Sequence, residues 1–238
     1  MELTYICPEG QDKIFKDAAA AFFATVRAIK GDHVVVGLPG GRSIVPFLRG
    51  LINNIEMLSI KDWQRLQFFM LDERGVPLDS DESNFKTVYT ELEQLVQELI
   101  VRKSQVHPFL WDESLDDKGA AKYQEELEKF GGKFDIAVLG AGEDGHVAGI
   151  FPNHPSLEDT SEGFITFDNS PKPPAKRFSA SLGLLKKTTY AFSLFIGEGK
   201  REALLALKDP DVSLNDCPAK LIYDLPVGYV ITDQRDLV

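Results

Sequence analysis

Asp144 and His146 stand one residue apart in the segment Gly142-Glu-Asp-Gly-His146. A histidine with an ordinary pKa near ~6.5 accepts a proton from water at neutral pH. A carboxylate beside it fixes the ring tautomer and stabilises the imidazolium. The pair follows the apolar run Ile136 to Leu139, which is short and β-branched, as a central parallel strand is. Gly140, Gly142 and Gly145 let the backbone turn sharply and approach a ligand closely. In open α/β sheets the carboxyl ends of the strands are where ligands bind. A capping aspartate and a solvated histidine are the bland alternative. The glycine loop after a buried strand favours proton chemistry.

Four further constellations stand at predicted strand ends or in loops. Gly37-Leu-Pro-Gly-Gly-Arg-Ser43 runs from a strand into a helix start. Backbone N–H groups at a helix N-terminus bind anions, and Gly40 and Gly41 allow close approach. Arg42 adds charge, and Ser43 offers a hydroxyl or acts as the helix cap. An ordinary βα turn with an N-cap serine explains the same residues. The segment is neither a Walker loop nor a G-x-G-x-x-G fingerprint. Leu71-Asp-Glu-Arg74 places consecutive charges that cannot all enter a core unpaired. The planar fork of Arg74 suits a phosphate or a carboxylate, and a salt-bridged strand end accounts for the segment as well. In Gly197-Glu-Gly-Lys200 a cation opens a helix, against the macrodipole, and meeting a phosphate would resolve the conflict. Ser170-Pro-Lys-Pro-Pro-Ala-Lys-Arg177 is an extended, semi-rigid loop with three cations, either solvated or covering a substrate. His33, His107 and His154 have structural readings. No His, Cys or carboxylate spacing of the usual zinc kinds is present, nor a G-x-S-x-G elbow.

These groups need elements to position them. Strand and helix signals alternate along the chain. Strands are predicted at 3–7, 33–38, 66–71, 106–109, 136–139, 161–167, 177–182, 188–196 and 227–231. Helices are predicted at 12–29, 44–51, 83–100, 117–129 and 199–207, with Ser83-Asn84 as a cap. This alternation predicts an α/β fold, a three-layer α/β/α arrangement with a mostly parallel central sheet. There is no internal repeat or low-complexity linker, so residues 1–238 read as one domain.

The bulk composition narrows the partners. A net charge of −11 disfavours nucleic acid and anionic membranes, which are bound through clustered Lys and Arg. A phosphate site must therefore be a local basic pocket. Two cysteines form no disulfide framework, and the N-terminus has no basic and apolar leader. A reduced, cytoplasmic protein is the simplest reading. No apolar run approaches the ~20 residues of a membrane span.

Taken in order, Gly40-Gly-Arg-Ser43, Asp62-Trp63, Asp72-Glu-Arg74, Ser83-Asn84, Gly142-Glu-Asp-Gly-His146 with Phe151-Pro152, Pro171-Lys-Pro-Pro174 with Arg177, and Gly197-x-x-Lys200 form a specific set. It resembles the 6-phosphogluconolactonases, of the wider family that includes the glucosamine-6-phosphate deaminases. The set spans roughly residues 37 to 200. The resemblance implies the sugar-phosphate isomerase/deaminase-like α/β/α fold. It implies hydrolysis of 6-phosphoglucono-δ-lactone to 6-phosphogluconate, the second step of the oxidative pentose phosphate pathway, with no cofactor or metal. The partner is then a small phosphorylated sugar lactone, taken by a monomer or a small homo-oligomer.

On this reading His146 is the general base and Asp144 its orienter. Arg74 is the candidate for the oxyanion. Gly40, Gly41, Arg42, Ser43, Arg177 and Lys200 surround the phosphate. The family loop commonly has proline where this chain has Ile44. Proline there would pre-set the helix start; its loss leaves the anion donors in place. Pairing Arg177 with the family's phosphate cation competes with Lys172 and Lys176.

Two other functions fit parts of the pattern. Deaminases of this family typically carry a glutamate after their Asp-Gly-His that supports the histidine in ring opening. Here Phe151 stands in its place, and phenylalanine neither transfers a proton nor orients an imidazole. A non-catalytic sugar-phosphate sensor would need a DNA-binding segment, and the chain has neither spare length nor a basic face for one.

Overall fold

The computed structural model describes residues 3–238. Seven strands form one sheet, in the order β1 (Thr4–Ile6), β10 (Val227–Thr232), β9 (Tyr190–Phe195), β6 (Ile136–Gly140), β2 (Val34–Leu38), β3 (Leu66–Met70), β5 (Val106–His107). Every pairing in it is parallel. The helices are α1 (Gln11–Ala28), α2 (Ile44–Ile52), α3 (Ile60–Trp63), α4 (Asn84–Gln97), α5 (Ala120–Glu128), α6 (Leu182–Lys186) and α7 (Arg201–Lys208). None of them, among the described residues, is long and apolar enough to cross a membrane.

The strand sequences explain the layering. In a strand successive side chains face opposite ways. Val34, Val36 and Leu38 of β2 join Phe68 of β3 and Ile136 and Val138 of β6 in one core, where Phe15, Phe22 and Phe23 of α1 and Phe47 of α2 cover them. Val35, Phe69, Ala137 and Leu139 point the other way, into a second core with Tyr123 of α5 and Leu204 of α7. Both faces are thus buried, and the strands read as continuous apolar runs. On the first face Phe22 meets Phe23, Phe47 and Phe192 edge-on at 5.7–5.9 Å. Burying each such ring contributes roughly 1.5–3 kcal/mol, so the floor beneath the β2 and β6 loops is densely held.

The topology fixes where a ligand can bind. From β2 the chain builds outward through β3 to β5; from β6 it builds the opposite way, through β9 to β10. The order therefore reverses between β2 and β6, and the loops that follow these two strands part there and leave a crevice.

A second, antiparallel sheet has the order β4 (Asp72–Arg74), β8 (Arg177–Ala180), β7 (Phe164–Phe167). The sequence predicts β7 and β8 but reads Asp72-Glu-Arg74 as the charged end of the strand at 66–71. Instead Leu71 ends the core run and the three charged residues begin a new strand, with Arg74 opposite Arg177. Three residues are too few to show a period. The same brevity hides α3, α6 and the 3-10 turn Pro218–Asp224. The helix predicted from Gly199 starts as a 3-10 turn, Glu198–Lys200, before α7.

Candidate active site

The crevice at the switch point is a cleft of about 290 Å³. Gly40, Gly41, Arg42 and Ser43 line it from the β2 loop, Gly142, Glu143 and His146 from the β6 loop. Asp72 and Arg74 enter from β4, Lys172 from the proline-rich loop and Lys200 from the turn before α7.

The β2 loop presents backbone. Gly41 takes φ +80°, open to glycine at no steric penalty. A Cβ on Gly40 would stand 1.7 Å from Oδ1 of Asn84, so the loop lies directly on that buried side chain. Nδ2 of Asn84 donates to the Asp72 carbonyl at 3.0 Å and to its carboxylate at 2.9 Å. These two acceptors set the amide orientation and turn Oδ1 towards Gly40. The Ser43 hydroxyl makes no cap bond to α2, which leaves it available to the cleft. Arg42 is held only loosely, 3.8 Å from Glu143, with its side chain 96% exposed.

The β6 loop presents side chains. His146 Nδ1 lies 2.5 Å from Asp144 Oδ1. A carboxylate there takes an Nδ1–H, so Nε2, which bonds no other described residue, is the ring's free acceptor. Asp144 stands behind the ring, outside the cleft lining. Its second oxygen is 2.9 Å from Lys172 Nζ. Burial works to raise the Asp144 carboxyl, but hydrogen bonds and charge from His146 and Lys172 prevail and hold it well below the usual carboxylate range. A Cβ on Gly142 would strike the His146 ring at 1.9 Å, so only glycine fits there. Gly145 has φ +81°. Phe151, 2% exposed, packs its ring 4.9 Å from that of His146.

Glu73 has a role the sequence does not announce. It is 1% exposed and accepts from the backbone N–H groups of Arg74, Asn84 and Phe85 and from the Ser83 hydroxyl. Burial raises its pKa against those donors. Ser83 caps α4 as expected, accepting from Lys86 N–H at 3.1 Å. Together they lock Asn84 in place. The carboxylate comes from ten to twelve residues upstream of the groups it caps, so no local capping pattern announces it.

The cations divide. Lys200 lines the cleft, and its burial, with Lys172 and Arg42 nearby, lowers its pKa against Glu143 and Asp144. Arg74 donates Nη1 to the Glu82 carbonyl at 2.7 Å, while its buried Nε has no partner. Arg177 does not line the cleft. It is 4% exposed, and its guanidinium donates to the Lys172 and Pro173 carbonyls at 3.2 and 3.1 Å. The expected phosphate cation thus turns its Nε and Nη2 onto the proline-rich loop. Lys172, weighed in the sequence only as an alternative to Arg177, reaches the Asp144–His146 pair instead. Among the described residues, no group of three or more His, Cys, Asp or Glu side chains is placed to hold a metal ion.

A parallel sheet with a glycine-rich loop on one side of its switch point and an acid–imidazole pair on the other defines a class of α/β proteins that bind small ligands at the carboxyl ends of their strands. Residues 9–229 match the model of the glucosamine-6-phosphate isomerases/6-phosphogluconolactonases, and the chain belongs to this family. Among its relatives, the 6-phosphogluconolactonase of Borreliella burgdorferi is 31% identical, over 99% of this chain and 97% of that protein. The 6-phosphogluconolactonase of Thermotoga maritima is 35% identical over 75% of this chain and 76% of its own. The crystal structure of the Thermotoga maritima protein superposes with a TM-score of 0.75, covering 96% of this chain and 99% of that one at 28% identity. A monomeric glucosamine-6-phosphate deaminase has the same fold, with a TM-score of 0.76 at 20% identity over 99% of this chain and all of that one. Fold alone therefore does not separate the two activities.

Proposed function

We propose that the chain hydrolyses 6-phospho-D-glucono-1,5-lactone to 6-phospho-D-gluconate, as the second step of the oxidative pentose phosphate pathway. The observation that carries this reading is Phe151 against the His146 ring, where the deaminases carry a glutamate. An apolar face there supports the imidazole without adding a second proton donor. The relatives named as 6-phosphogluconolactonases support the same choice.

Water attacks the lactone carbonyl carbon while His146 Nε2 takes its proton. The carbonyl oxygen becomes an oxyanion, for which the unpartnered Nε–H of Arg74 on β4 is the candidate donor. When the intermediate collapses, the bond from the carbonyl carbon to the ring oxygen breaks. The imidazolium returns its proton to that oxygen. Asp144 stays charged throughout and stabilises the imidazolium. The Gly40, Gly41 and Ser43 donors with Lys200 hold the phosphate, and Arg42 adds charge at the rim. Anchoring this remote group positions the carbonyl. Both cysteines are free, which accords with work in a reducing cytoplasm.

The test measures lactone loss and ammonia release side by side on the purified chain, with the lactone's spontaneous opening subtracted. Accelerated lactone loss without ammonia from glucosamine 6-phosphate is expected. Robust ammonia release overturns the assignment.

A further inference from the structure

The acid–imidazole pair has a third member. Lys172 Nζ lies 2.9 Å from Asp144 Oδ2 and 3.5 Å from His146 Nδ1. Lys172 is 26 residues from the histidine in sequence and sits on the loop between β7 and β8, so nothing local obliges it to be there. The loop is built to deliver it. Ser170 Oγ accepts from Lys172 N–H at 3.2 Å and donates to its carbonyl at 2.8 Å. Arg177, the first residue of β8, donates Nη2 to the same carbonyl and to that of Pro173, and Nε to Ser170 Oγ at 3.4 Å. The backbone on either side of the Lys172 side chain is thereby gripped from a buried anchor. Burying a guanidinium this deeply, opposite Arg74 across the β4–β8 pair, is unfavourable in itself. Those carbonyl bonds compensate it, and they are made to the strap that carries Lys172.

We propose that Lys172, Asp144 and His146 form one charge-relay-free triad in which Lys172 is a positioning residue for the base, and that Arg177 positions Lys172 rather than binding phosphate. This rests on His146 being the base in the reading above. An uncompensated carboxylate beside the ring would favour the imidazolium, which cannot take a proton from water. The Lys172 ammonium offsets that carboxylate and holds its second oxygen, so Asp144 orients the ring with its own charge already met. The other charged groups around the cleft are Arg42, Glu143, Asp72, Arg74 and Lys200. Among the described residues only Asp144 and Lys172 have charged atoms within hydrogen-bond reach of the ring.

The test titrates the His146 ring by proton NMR in the free, full-length chain, with the resonance assigned by its loss in His146→Asn. Lys172→Met is expected to move the titration midpoint up by about one unit, the scale of a unit charge at this distance in a water-like medium. Arg177→Met moves it the same way, and the acid limb of kcat/KM for the lactone follows in both. Melting curves check that each variant is folded. If Arg177→Met does not fold, Ser170→Ala loosens the same strap and serves in its place. An unmoved midpoint in Lys172→Met overturns the triad. A folded Arg177→Met with the wild-type midpoint and only a raised KM returns Arg177 to phosphate binding. A wild type that titrates as expected but does not turn over the lactone sinks the functional reading alone, because the NMR result needs no turnover.

Discussion

The two loops that flank the switch point solve opposite problems. On the proposed reading the β2 loop meets its ligand with main-chain N–H groups, and its shape follows from Gly40, Gly41, the start of α2 and the buried Asn84 beneath it. In the same reading the β6 loop meets it with an imidazole that has Asp144 and the Phe151 ring against it and Lys172 reaching in from a separate loop. A backbone site needs only its main chain held in shape. A side-chain site must have its tautomer, tilt and charge set by neighbours from elsewhere. The comparison implies that substitutions in the β6 loop act on turnover and those in the β2 loop on affinity for the phosphate.

The strongest way to break that division is His146→Ala. We expect kcat to fall ~10²–10⁴-fold, the usual scale of a positioned general base, with KM little changed. Steady-state lactone hydrolysis, corrected for spontaneous opening, checks it. An unchanged kcat removes His146 from the mechanism and, with it, the contrast between the loops.

Gly40→Ala probes the other side. The new methyl meets Asn84 Oδ1 at 1.7 Å, and Asn84 cannot retreat because Asp72 holds its amide and Glu73 its backbone N–H. The loop must lift instead. A displacement of ~1 Å is enough for a ~10²-fold fall in kcat/KM, concentrated in KM. The same variant should act on unphosphorylated gluconolactone at close to the wild-type rate if, as proposed, the loop serves the phosphate alone. Equal losses on both lactones would show that the two loops are not separable.

How far the sequence reveals this arrangement follows the same line. The main sheet was legible because its strands are apolar on both faces and its helices carry an apolar stripe, so periodicity reports them. His146, Asp144 and the Gly40–Ser43 loop were legible because each motif lies within a few residues of a strand end. The β4 strand was not, since three charged residues in a row carry no alternation. Arg177 illustrates the limit: its residue type suits phosphate, and only the fold shows its guanidinium turned onto the carbonyls of its own loop. The job of Glu73 was hidden for a related reason, because its partners are backbone N–H groups about ten residues away across a turn.

Lys200→Ala sharpens the affinity side with a smaller effect. The half-buried ammonium faces the cleft with a pKa lowered chiefly by burial, as expected of a cation placed to receive an anion. Loss of a charged hydrogen bond of ~1.5 kcal/mol, the lower end of the usual range, should raise KM for the phosphorylated lactone by about tenfold and leave kcat within a factor of about two. A fall in kcat with KM unchanged would instead assign Lys200 to the oxyanion.

Arg42→Ala should matter least, and this tests whether the β2 loop works through its backbone. Arg42 stands between the two glycines' donors and Ser43, so motif reading gives it the same standing as they have. Yet its side chain is almost fully solvated, and its nearest carboxylate, on Glu143, is 3.8 Å away. A charge in that setting contributes at most about 1 kcal/mol, screened by salt. We therefore expect KM to rise less than about fivefold at physiological ionic strength and the difference from wild type to shrink further as salt is added. A rise comparable to that of Lys200→Ala would mean that Arg42 folds onto the bound phosphate, and that the loop recruits a side chain after all.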